Sequence, residues 1–139
     1  MKTLKTLTTA FLIILSLGAF ASEENRKYQM DYTIQTYIDA VAHGKIKGLS
    51  EVMDQDVKFT MARGKKIYNY GKSDILKFIK NFENIEQNCI TTSSILEQSH
   101  SQTIVKVTMQ YKNFSNIAYL NIANTTRGWK ITNITSTFI

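Results

Sequence analysis

Proline is absent from the 139 residues, cysteine occurs once and histidine twice. Without proline, every strand is free to hydrogen-bond along its whole length. A single thiol, Cys89, cannot make an internal disulfide, so core packing has to supply the stability even in an oxidising compartment. Its place in an alternating segment predicts a small buried apolar side chain rather than a nucleophile. His43 and His100 belong to no H-x-x-x-H, H-x-H or C-x-x-C pattern, so the sequence indicates neither a metal site nor a catalytic histidine. The six glycines are scattered, with Gly64 and Gly71 placed as turn residues, and no glycine-rich phosphate loop or cofactor motif is present.

What the chain does have begins with a secretory pattern. Lys2 and Lys5 precede an uncharged core centred on FLIILSLGAF, and Ala19-Phe20-Ala21 supplies the small-x-small site of a signal peptidase. The apolar stretch is shorter than the roughly 20 residues that span a bilayer, and Glu23 and Glu24 follow at once. The reading is a cleaved signal over residues 1–21 and an exported protein, periplasmic or secreted, without membrane insertion after cleavage. The remaining 118 residues form one domain, 22–139, enough for one core and one concave site.

Loss of Lys2 and Lys5 reduces 17 basic side chains to 15 against 11 acidic ones, a mild excess of +4. Arg63, Lys65, Lys66 and Lys72 interleave with Tyr68 and Tyr70, a mixture that would raise nucleic-acid binding in a cytoplasmic chain. Export argues against nucleic acid and leaves a solvated hairpin able to attract an anionic ligand or surface. Three sequons, at Asn113, Asn124 and Asn133, reflect the richness of the chain in Asn, Thr and Ser.

Periodicity predicts a helix over 24–42 with Met30, Ile34, Tyr37, Ile38 and Val41 on its inner face. Tyr28 and Tyr32 fall on the other side with Gln35 and Asp39, as partly exposed aromatics or contacts for a second chain, and Asp31 and Asp39 belong to the solvated side of the helix. His43-Gly44 ends this helix, and a short one follows through Leu49, Val52 and Met53, capped at Ser50 or the turn before it and stopping near Asp54-Gln55-Asp56. Val57, Phe59 and Met61 alternate in a strand that returns through Lys66 to Tyr70. Gly71-Lys72-Ser73-Asp74 opens a third helix, with Ser73 as cap, carrying Ile75, Leu76, Phe78, Ile79 and Phe82 inward. Four long period-two strands complete the chain: 89–96, 103–111, 114–123 and 129–138. The class is α+β, with helices gathered on one face of a curved sheet.

The run from Tyr37 to Lys45, then Gly48-Leu49, Val52-Met53-Asp54, Asp56 to Phe59, Gly71-Lys72-Ser73 and Gly128 to Ile134 together resemble the nuclear transport factor 2-like superfamily, and within it the exported lumazine-binding-like branch. The resemblance implies three N-terminal helices packed in a cone on a mostly antiparallel sheet of about six strands, two short and four long. It also implies an apolar pocket between the layers and a homodimer paired through the sheet. Enzymes of this superfamily, such as ketosteroid isomerase, scytalone dehydratase and polyketide cyclases, place a tyrosine on the first helix and a carboxylate or histidine at the end of the first strand. Tyr37 matches the tyrosine. The position of the base falls on or beside Met61, which cannot take a proton, and its neighbours are Thr60 and Ala62. Inward positions of the later strands, Val105, Val107, Met109 and Tyr111, hold no carboxylate.

No catalytic residue is therefore assigned. The pocket candidates are Tyr37, Phe59, Met61, Phe78, Phe82, Met109, Tyr111 and Trp129, for most of which core packing is the competing role, as it is for Tyr68 and Tyr119. The leading functional reading is a noncatalytic binding or accessory protein that takes a small apolar ligand. The alternatives are an isomerase- or dehydratase-type enzyme and an interaction module of the cell envelope.

Overall fold

The computed structural model describes residues 29–139; the expected export signal, Tyr28 and the start of the first predicted helix lie outside them. Within the described residues the order is α1 (Met30–His43), α2 (Leu49–Val52), β1 (Met53–Arg63), β2 (Lys66–Tyr70), α3 (Lys72–Lys80), β3 (Ile90–Gln98), β4 (Gln102–Gln110), β5 (Ser115–Thr125) and β6 (Gly128–Phe138). Two helices precede the first strand, and the third interrupts the strands after β2. Only β2 is short, so the sheet has one short and five long strands where two and four were expected.

Helix α1 buries Ile34 and Tyr37 and lays Met30, Ile38 and Val41 against the core. Thr33, Thr36, Ala40 and Ala42 are buried as well, so the inner face is wider than one apolar stripe. Tyr32, read as a partly exposed aromatic, is half-buried and packs against the core. The cause is the turn into α2, which covers that side: a Cβ at Gly48 would lie 3.1 Å from the Tyr32 hydroxyl oxygen. Asp39 accepts a 2.8 Å hydrogen bond from Gln35 Nε2 at the surface.

Gly44 takes φ 68°, the left-handed conformation that ends α1. It also admits a second segment, because a Cβ there would stand 2.6 Å from both the Phe82 carbonyl oxygen and the Ile85 nitrogen. Asn84 N–H donates to the Gly44 carbonyl at 2.9 Å and Gln87 N–H to that of Ala42 at 2.8 Å, so the loop after α3 is strapped to the end of α1. His43 Nδ1 meets Glu86 Oε1 of the same loop at 2.6 Å.

Three local expectations are corrected. Met53 starts β1 rather than ending a helix, and 54–56 continue the strand, because Met53 pairs with Ile131 of β6 and a register irregularity before Lys58 absorbs the bend. Of the two caps expected for α2, the turn before it is the one found, with Gly48 as the cap residue at φ 86°, while Ser50 lies inside the helix. Ser73 lies inside the first turn of α3; Gly71 is the cap residue, and its N–H donates to Asp74 Oδ2 at 3.4 Å.

The sheet runs β2-β1-β6-β5-β4-β3. β1 and β6 are parallel and every other pair is antiparallel. On the helix side, registers Val105↔Leu120, Val107↔Ala118 and Leu120↔Ile134 stack buried rows across three strands. Val57, Ile131, Leu49 and Val52 complete the centre. Burying each such side chain is worth about 1.5–3 kcal/mol, which makes this row the main support of the fold. β3 lies at the edge beyond the helices, leaving Ile90, Ile95 and Leu96 exposed. Cys89, read as a buried strand residue, precedes β3 and is half-buried, its Sγ 3.6 Å from Thr91 Oγ1.

Candidate functional site

The sheet and helices part at one end, where β4 stops, β5 begins and β6 finishes. There they enclose a cavity of about 490 Å³. Its floor is Met109, Ile134 and Ser136 from the sheet; its roof is Tyr37, Ala40 and Val41 of α1; and α3 closes one side with Ile75, Phe78 and Ile79, joined by Phe82 of the turn after it. Phe59, Met61 and Tyr70 wall the β1–β2 side, and Tyr111, Phe114 and Phe138 the opposite one.

Aromatic rings dominate the mouth and are arranged in pairs. Tyr111 and Phe114 stack with centroids 4.6 Å apart and 12° between planes, and Phe138 stands 6.1 Å from Phe114 at 52°. Phe78 of α3 and Phe82, in the turn that follows the helix, are 5.3 Å from each other at 56°. Phe59 and Tyr70 pair across the hairpin at 6.1 Å. Phe78 is 60% exposed and Phe82 39%, although the helix pattern placed both inward. The two facts agree once the cavity is seen: the inner face of α3 extends past the packed core and opens onto the void.

Seven of the eight sequence candidates, Tyr37, Phe59, Met61, Phe78, Phe82, Met109 and Tyr111, come together on this cavity. Trp129 does not. It packs half-buried against the core, and its backbone carbonyl accepts from Thr33 Oγ1 at 2.8 Å, tying β6 to α1. Its apolar bulk signalled burial, which both places would satisfy.

Four polar residues of the lining were missed by the sequence reading: Asp74, Gln87, Asn116 and Ser136. Asp74 precedes Phe78 and Phe82 by one and two turns, so the spacing held the signal. Asn116 shares strand parity with Ala118, Leu120 and Ile122, and Ser136 sits two residues beyond Ile134, which likewise marks them as inward. Gln87 lies in the loop strapped to α1, where no periodicity exists to read.

The polar groups are organised. Asn116 Nδ2 donates to Ser136 Oγ at 2.8 Å, and Tyr111 Oη donates to Gln87 Oε1 at 3.0 Å. Burial, with the neighbouring Cys89 adding to it, raises the Tyr111 phenol above its usual value. Burial alone pushes the Tyr37 phenol well above the usual tyrosine range. A phenol so held can donate a hydrogen bond to a ligand and cannot act as a base near neutrality. Met61 lies in the wall, and Asp74, the one charged residue among the described residues of the lining, is exposed at the rim. Among the described residues no group of three His, Cys, Asp or Glu side chains is placed to hold a metal ion.

Residues 25–135 match the sequence family described as "Putative lumazine-binding". No curated protein matches the chain. Among solved structures, an NTF2-like protein of unknown function from Silicibacter pomeroyi superposes with a TM-score of 0.67 at 11% identity, covering 86% of this chain and 98% of its own. A second NTF2-like protein of unknown function, from Shewanella baltica, gives 0.64 at 7% identity over 86% and 96%. A protein described as a "putative ketosteroid isomerase", from Parabacteroides distasonis, gives 0.55 at 11% identity over 76% and 84%. At these identities the likeness shows the fold: α+β, NTF2-like, with a curved six-stranded sheet.

Proposed function

As the chain belongs to the lumazine-binding family of the NTF2-like superfamily, we propose that it is a noncatalytic binding protein whose cavity takes a small, flat aromatic molecule. The observation that carries this reading is the aromatic mouth. A volume of about 490 Å³ is that of a small-molecule site, and paired rings on three sides supply stacking faces for a planar guest. The Tyr37 hydroxyl, the Asn116–Ser136 pair and Gln87 add a few polar groups to fix its orientation. A pteridine such as lumazine, planar and edged with hydrogen-bonding atoms, fits that description in kind. The missing base at Met61 favours holding a ligand over turning it over.

The export pattern of residues 1–21 supports a place outside the cytoplasm, periplasmic or secreted, and the superfamily's habit supports a homodimer paired through the sheet. Native mass spectrometry of the protein purified from its own host tests these readings together. The expected result is a chain beginning at Ser22, in pairs, that retains a small aromatic compound. An empty cavity, together with failure to quench the protein's fluorescence on titration with lumazine, would overturn the binding reading.

A further inference from the structure

Helix α3 has two chemically opposed faces. Asp74 and Phe78, one turn apart, look onto the cavity, and Phe82 joins them from the turn after the helix. Lys72, Lys77 and Lys80 line a separate shallow groove on the other side with Ser50, Gln55 and Leu76, and Lys72 Nζ is held there by the Met53 carbonyl at 3.1 Å. All three lysines of the helix thus stand away from the cavity. Among the described residues that line the cavity, Asp74 is the only one with a formal charge, in a chain whose overall charge is positive.

We propose that the cavity selects planar aromatic cations over neutral rings of the same shape. The inference rests on the binding reading above and adds the charge of the ligand to it. Two properties of the lining act in the same direction. Rings carry negative potential on their faces, so the Phe78, Phe82, Tyr70 and Phe59 group attracts a positive guest. The Asp74 carboxylate stands on the same wall as Phe78, within the aromatic rim, and supplies the counter-charge. A lysine facing inward would cancel both effects. The helix instead places its lysines on the opposite face, in the separate groove.

The test compares N-methylacridinium, permanently charged, with acridine at a mildly alkaline pH where it is neutral. The two share shape and stacking area. Fluorescence titration of the full mature chain is expected to give binding of the cation about tenfold tighter, equivalent to about 1.4 kcal/mol. Added salt should shrink the preference. Asp74→Asn keeps an oxygen able to accept from Gly71 N–H, so the helix start is preserved; it should bring the two dyes to within about twofold of each other. Equal binding of both dyes by the unaltered protein, or a preference that survives Asp74→Asn, would overturn the charge selection and leave the aromatic cavity standing. Binding of neither dye would overturn the cavity reading and this inference with it.

Discussion

Tyr111 and Phe114 hold the turn between β4 and β5 from both backbone and side chain: the Tyr111 N–H donates to the Phe114 carbonyl at 2.9 Å while their rings stack at 4.6 Å. The turn is thereby fixed as part of the cavity wall. Phe114 is half-exposed but pairs with both Tyr111 and Phe138, so Phe114→Ala should cost about 1–3 kcal/mol of stability, the worth of two aromatic pairs. On the binding reading, the same change should weaken a planar ligand by at least about fivefold, roughly 1 kcal/mol. Urea unfolding and ligand titration on the one variant separate the two effects. Unchanged affinity would remove Phe114 from the site.

Tyr37 predicts an alkaline limit. Its phenol ionises at higher pH in the folded chain than the ordinary value of about 10 that it has when unfolded. Above about pH 10 the unfolded state therefore loses a proton that the folded state keeps, and stability falls as pH rises, by up to about 1.4 kcal/mol per unit. Tyr37→Phe should be near wild type at neutral pH, since the hydroxyl gives up no partner among the described residues, and should gain on wild type above pH 10. Parallel denaturation curves for the two proteins would argue that the hydroxyl is hydrated rather than buried.

Gly44 and Gly64 offer a matched pair. Both have positive φ, 68° and 63°, but a Cβ at Gly64 meets nothing within 4 Å, whereas at Gly44 it meets the backbone of 82–85 at 2.6–2.7 Å. Gly64→Ala should cost about 1 kcal/mol, the conformational penalty alone. Gly44→Ala should cost at least about 3 kcal/mol, because the loop carrying Phe82 and Gln87 must also move. Similar melting temperatures for the two variants would contradict the strapping of that loop to α1.

Thr103 is buried on β4, and its hydroxyl has no partner among the described residues. Thr103→Val keeps the branched shape and removes the stranded polar atom, so it should raise stability by up to about 1 kcal/mol. Thermal unfolding reads the sign directly; a clear loss would mean that the hydroxyl is satisfied.

The strands and helices were legible where side-chain period decided the matter. The alternation of Val105, Val107 and Met109, and the stripe from Met30 to Val41, locate the core face within a residue or two. Long-range pairing was not legible. The segment 54–56 looks like a helix stop in isolation and is a strand only because β6 lies beside it. Tyr32 looks partly exposed until the turn at Gly48 covers it. In the cavity, apolar members were readable as inward-facing, but inward meant two different environments, packed for Trp129 and open for Phe78. Local sequence cannot tell these apart, because the same hydrophobic period serves both. Asp74 was read for its effect on the start of α3, a role it has, and its second role followed from a spacing already visible in the sequence.

The parallel neighbour relation of β1 and β6 fixes the order of assembly. β6 enters between β1 and β5, so the fold cannot grow by adding strands in chain order. Until Ile134 reaches Phe59, the β1–β2 hairpin and the β3–β5 meander share no sheet hydrogen bonds, and two strands stand with bare edges. Joining them closes most of the chain into a loop, a slow step whose entropy is lost before its contacts form. Until that step the chain is vulnerable to pairing with other chains, so a truncation within β6 should fail abruptly, by aggregation, rather than leave a smaller working sheet.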